Sequence, residues 1–167
     1  MRHLKVCWLI PCLTLGCFGD GDARIPGELL GTFTAEAVTQ ENGCGPQPFD
    51  AADNPVFEIQ LSEDAPKLYW ITSSSAPTTG TLAEDGSFSF ETVSRHTPAE
   101  GCVIDRGDAF IGAFADGDMH SGALDGVLTY SYALAEQSDC SALIGEVGGV
   151  SELPCSISYS VSATTQE

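Results

Sequence analysis

From Gly31 onward, apolar and polar side chains alternate with a period of two rather than 3.6. Phe33, Ala35 and Ala37 alternate with Thr34 and Glu36, and Phe57, Ile59 and Leu61 with Glu58, Gln60 and Ser62. Phe88 and Phe90 alternate with Ser87, Ser89 and Glu91, while Cys155, Ile157, Tyr159 and Val161 alternate with four serines. Such alternation marks strands with one dry face and one wet face. Tyr69 and Trp70 belong to a further apolar run at Lys67–Thr72, adding one more strand. Eight strands are expected, near 32–39, 56–62, 67–73, 78–83, 87–93, 103–115, 119–134 and 154–163.

Turn chemistry agrees with that reading. Asp85-Gly86, Asp116-Gly117 and Asp125-Gly126 fall beside apolar runs, where Asp-Gly is a favoured tight-turn pair. Gly107, Gly112, Gly122 and Gly126 lie within the expected strands and read as bulges. The stretch Leu134–Val147 could hold one helical turn, and no internal repeat is present. Short strands joined in sequence by tight turns give an all-β fold. The expected form is an antiparallel up-and-down barrel of about eight strands, its last strand beside its first, because closure removes exposed edges. A two-sheet β-sandwich is the alternative.

The N-terminus follows a different pattern. Met1-Arg2-His3-Leu4-Lys5 is positively charged, Val6–Leu15 is mostly apolar, and Gly16 is small. That order is the tripartite signature of a secretory signal peptide, and its apolar run is too short for a transmembrane helix. The segment Leu13-Thr14-Leu15-Gly16-Cys17 resembles the lipobox of bacterial lipoproteins, with Leu15 and Thr14 in exchanged order relative to the usual pattern. The resemblance implies cleavage before Cys17 and attachment of lipid to that residue. Two or more acyl chains would then anchor the protein stably to a membrane. The expected organisation is a signal peptide over 1–16, a lipidated Cys17 with a tether to residue 30, and a single β domain over 31–167. The expected location is the cell envelope, lipid-anchored, with secretion as the alternative.

Cysteine usage supports export. Seven cysteines less Cys7 and Cys12 in the signal leave five, and lipid on Cys17 leaves Cys44, Cys102, Cys140 and Cys155. An even number in an oxidising compartment implies two disulfides, with three possible connectivities. Cys44–Cys102 and Cys140–Cys155 are favoured, since each would pin a loose connection. None of the four lies two to four residues from another, as structural zinc sites require.

Charge narrows the partners. Arg2 and Lys5 lie in the signal, so the mature chain keeps four basic residues against 24 acidic ones, a net charge of −20. This surface would repel nucleic acid and anionic headgroups, so any membrane attachment must be covalent. Mutual repulsion favours a soluble monomer.

Candidate chemistry is sparse. Asp116, Asp118 and His120 would share one strand face, but Asp116-Gly117 reads as a turn, so no metal site is expected. Arg106-Gly107-Asp108 resembles the tripeptide that adhesion ligands present to integrins. His96, within Ser94-Arg95-His96-Thr97-Pro98 beside an expected loop, could orient a serine nucleophile. No Gly-x-Ser-x-Gly is present, and neither a catalytic group nor a cofactor is assigned. Tyr69, Trp70, Tyr130, Tyr132 and Tyr159 could line a ligand cavity in a barrel mouth or simply fill the interior. Gly31-Thr32-Phe33 resembles the Gly-x-Trp entry of lipocalins, with Phe in place of Trp. The functional readings are a lipid-anchored binding or structural module with an envelope protein as a possible partner, a lipocalin-like carrier of a small apolar ligand, and a hydrolase.

Overall fold

A computed structural model describes residues 25–46, 55–71, 76–145 and 149–166. The expected signal peptide, Cys17 and the expected tether as far as Arg24 lie outside the described residues. Eight strands occupy Glu28–Asn42 (β1), Val56–Asp64 (β2), Lys67–Ile71 (β3), Thr78–Leu82 (β4), Ser87–Ala99 (β5), Cys102–Phe114 (β6), Ala123–Leu134 (β7) and Cys155–Thr165 (β8). Each pairs antiparallel with the next, and β8 returns to β1, so the sheet closes as an up-and-down barrel rather than a sandwich.

The alternating pattern decides which face is dry. Phe33, Ala35 and Ala37 on β1, Ile59 and Leu61 on β2, and Ile157, Tyr159, Val161 and Ala163 on β8 are all buried inside. Between the inward residues of β8, Ser156, Ser160 and Ser162 are exposed. A barrel that spans a membrane reverses this order, with apolar residues outside and polar ones within. The outward face of β8 is that of a barrel in water.

Aromatic rings fill the interior as a connected column. Phe33 and Phe88 both pack on Phe114, with centroids 6.3 and 5.4 Å away. Phe88 meets Phe110 edge-on at 5.3 Å, and Trp70 meets Phe90 and Phe110 edge-on at 6.0 Å each. Edge-to-face pairs contribute about 0.5–1.5 kcal/mol each beyond the burial of their area. Glycines opposite these rings make the space they occupy. A Cβ at Gly112 would lie 2.7 Å from the Phe88 ring, and one at Gly126 would lie 2.7 Å from the Phe110 ring.

Those glycines correct the expectation of bulges. Pairing runs without interruption through Gly107, Gly112 and Gly126. The register shifts instead at Leu29/Gly31, Thr39/Glu41 and His96/Ala99. Gly122 lies outside β7, in a turn with φ 73°.

Several strand ends also differ from the sequence reading. β1 begins at Glu28, so Glu28–Leu30 are strand rather than tether. Met119–Gly122 form a turn before β7, held by Asp118 Oδ1, which accepts from the His120 N–H at 2.9 Å. β5 continues through His96 and Pro98 to Ala99, where a loop was expected, because β6 supplies a partner as far as Cys102. The helical turn expected after Leu134 is a 3-10 turn at Ser141–Leu143.

The up-and-down order sorts the connections into two ends. One end carries Ala65–Pro66, Ala83–Gly86 and Ala115–Gly122, together with the entry of the chain at Ile25–Gly27. There Ser62 Oγ donates to the Pro26 carbonyl at 2.5 Å, and Ser62 is fully buried on the outer face of β2. The opposite end carries the β1–β2, β3–β4, β5–β6 and β7–β8 connections.

Both disulfides lie at that second end, and their pairing overturns the expected one. Cys44 bonds Cys155 and Cys102 bonds Cys140, with Cα–Cα distances of 5.0 and 4.6 Å. Closure explains the first. Asn42 pairs with Ile157, so continuing the register two residues brings Cys44 opposite Cys155. For the second, the chain after β7 folds over the start of β6. The Asp139 N–H donates to the Gly101 carbonyl at 3.0 Å, and the Val103 N–H donates to Ser138 Oγ at 2.6 Å. Cys44–Cys102 would have joined the ends of β1 and β6, which are not neighbours in the barrel, and Cys140 is held at the start of β6 rather than at Cys155. The two bridges are compatible with an exported, non-cytoplasmic protein.

Candidate binding site at the barrel mouth

Inward positions change character along β6. From Phe114 through Gly112 to Phe110 they are apolar, and the next two inward residues are Asp108 and Arg106. Opposite them on β7 stand Tyr130, paired with Asp108, and Tyr132, paired with Arg106. On the other side, Thr92 of β5 pairs with Asp108 and Ser94 with Arg106. Toward the disulfide-bearing end, a polar belt therefore stands between the ring cluster and buried Ile104 and Cys102.

A pocket of about 180 Å³ opens among these residues. Its deepest lining residues are Phe90, Phe110 and Leu128, each at most 3% exposed. Half-buried Trp70 and Tyr130 form part of its wall, with Thr78, Thr92 and Asp108 supplying the polar groups. β4 pairs with β5 through Thr81–Ser89 and Leu82–Phe88, and the pocket lies above that short ladder.

The charged pair in the mouth is held from two directions. Arg106 Nε donates to Asp108 Oδ1 at 2.6 Å, and its guanidinium carbon stands 4.1 Å from the centroid of the Tyr130 ring. Tyr130 in turn meets Tyr159 edge-on at 5.7 Å. Burial alone would lower the Arg106 pKa, but the hydrogen bond and charge of Asp108 outweigh it and raise the value. Burial pushes the Tyr130 hydroxyl up, against the pull of Arg106, and pushes Tyr132 up to about 12. Both phenols stay neutral across the physiological range.

The five aromatic candidates separate. Trp70 and Tyr130 line the pocket; Tyr132 and Tyr159 are buried core at 3% and 1% exposure. Tyr69, between Ser62 and Thr79 in the sheet, follows inward Leu68 and precedes inward Trp70, so it faces outward. Arg106 and Asp108 were legible only as ends of an adhesion-like tripeptide. That tripeptide lies in mid-strand with both charged ends turned inward and bonded to each other, unlike an exposed loop tip. Counting back by twos from Phe110 would have found them.

Ser94 Oγ and His96 Nε2 are 2.8 Å apart on the same face of β5. Both side chains are exposed, without walls to exclude water. Asp116 has φ 56° within a 3-10 turn, so the Asp116, Asp118 and His120 positions do not share a strand face. Among the described residues no group of three potential ligands could hold a metal ion. No protein-family model, no curated protein and no solved structure matches the chain.

Proposed function

We propose that this protein is an exported, lipid-anchored envelope module that binds at its barrel mouth and carries no cargo in its interior. The observation that carries the reading is the position of the mouth relative to the chain entry. Residues 25–27 join the barrel at the end opposite the pocket. An anchor at Cys17, at most about 28 Å of extended chain from Ile25, would leave the mouth facing away from the membrane. The aromatic column argues against an internal carrier. Ligand-carrying cavities enclose roughly 300–1,000 Å³, and the mouth pocket offers about 180 Å³.

The anchor is tested on the native protein. Intact mass is expected to give a chain beginning at Cys17 with acyl mass attached. Cys17→Ser is expected to move the protein from the membrane fraction to the soluble fraction, still folded. A native chain that starts elsewhere, with Cys17 unmodified, overturns the anchored reading.

A further inference from the structure

We infer that the mouth pocket is a site for a small organic cation, an alkylated ammonium head group held by aromatic faces and the Asp108 carboxylate. The inference rests on reading the mouth as the binding face, and not on the lipid anchor.

Four rings line the pocket: Trp70, Phe90, Phe110 and Tyr130. Aromatic faces attract cations through the ring quadrupole, and cages of such rings are a recurrent way to hold quaternary ammonium groups. The charge-bearing residue that lines this pocket is a carboxylate, Asp108. An anion would meet that carboxylate and the −20 charge of the mature chain. A neutral apolar molecule would gain nothing from Asp108. A cation gains from the rings, from the Asp108 carboxylate that it would share with Arg106, and from a field that raises its local concentration.

The protein's own cation already demonstrates this chemistry. Arg106 rests against the same cluster, its guanidinium over the Tyr130 ring and its Nε on Asp108. Tyr130 and Asp108 thus hold one cation while both also line the pocket. The small volume sets the upper size. It suits a compact head group such as trimethylammonium better than a long amphiphile.

Trp70 makes a direct test possible. Of the two tryptophans, Trp8 belongs to the signal peptide, so Trp70 is the lone indole of the mature chain. The exported protein carrying Cys17→Ser is titrated with choline and with 3,3-dimethyl-1-butanol, its uncharged carbon isostere. Binding is followed by Trp70 fluorescence and by the indole N–H signal in NMR. Choline is expected to bind saturably, about tenfold or more tighter than the alcohol, equivalent to about 1.4 kcal/mol. Its affinity is expected to fall with added salt. Asp108→Asn is expected to weaken choline about tenfold and leave the alcohol unchanged. Equal binding of both probes overturns the cation preference while keeping the mouth as a binding site. No saturable response from either probe, by either readout, up to about 10 mM overturns the site itself.

Discussion

The two ends of this barrel are closed by different means. At the chain-entry end the connections are short, and the interior is plugged by Phe114 against Phe33 and Phe88. At the mouth the connections include 43–55 and 135–154, and two disulfides tie strand ends to them. Packing holds one end because tight turns leave the rings nothing to do but meet. Covalent bonds reinforce the other, where Asp108 and Arg106 interrupt the inward row of β6 between buried Phe110 and buried Ile104. The mouth can therefore carry Arg106, Asp108 and an open pocket without loosening the barrel beneath.

The largest expected effect breaks the staples. The Cys44–Cys155 bridge spans 111 residues and the Cys102–Cys140 bridge 38. On the chain-entropy estimate they stabilise by about 5 and about 4 kcal/mol. Replacing Cys44 and Cys155 together with Ala should lower the unfolding free energy by up to that larger figure in urea titrations. Amide exchange at the strand ends of the mouth should accelerate before that at Phe114. Non-reducing peptide mapping of the native protein should return Cys44–Cys155 and Cys102–Cys140; any other pairing breaks the comparison.

The plug is expected to cost slightly less. Phe114→Ala removes a ring that is 2% exposed and should destabilise by about 3–5 kcal/mol. Its disulfides should still form, so intact mass without reductant separates this loss from a failure of the staples.

Alkaline pH acts on the mouth through its buried phenols. Tyr132 ionises near pH 12 when folded and near 10 when unfolded. Between those values the folded state holds more protons, so stability falls as pH rises from about 10 to about 12. The loss from Tyr132 reaches about 2–3 kcal/mol at most. Urea midpoints measured across that window check the sign. A stability that rises there would mean the phenol is not desolvated.

Filling the ring spaces should cost least. Gly126→Ala places a Cβ 2.7 Å from the Phe110 ring and 2.7 Å from the Ile111 carbonyl, for about 1–3 kcal/mol of overpacking. Thermal unfolding gives the number, and an unchanged midpoint would show that the ring can step aside.

Much of this architecture was legible in order along the chain. All eight strands lie close to where alternation, apolar runs and turn pairs put them, because facing water or facing a core is a property that a strand carries in its own residues. Ser156 to Ser162 against Ile157, Tyr159 and Val161 is the clearest instance. Strand ends were read less well. β5 runs through Pro98 because β6 lies beside it, and nothing within residues 94–99 announces that partner.

The mouth depended on relations between strands. Cys44 finds Cys155 because β8 closes onto β1, and a pairing judged by nearness along the chain misses a neighbour 111 residues away. Gly112 and Gly126 are spaces for rings on adjacent strands, which no reading of their own strands as bulges could find. Arg106 meets Tyr130 only when β6 and β7 are in register. The sequence by itself determined the strands, their dry faces and the even set of cysteines, since these follow from local alternation and counting. Register and closure decided which cysteines bond and which side chains share the mouth, because contacts across a barrel are set by neighbours in space.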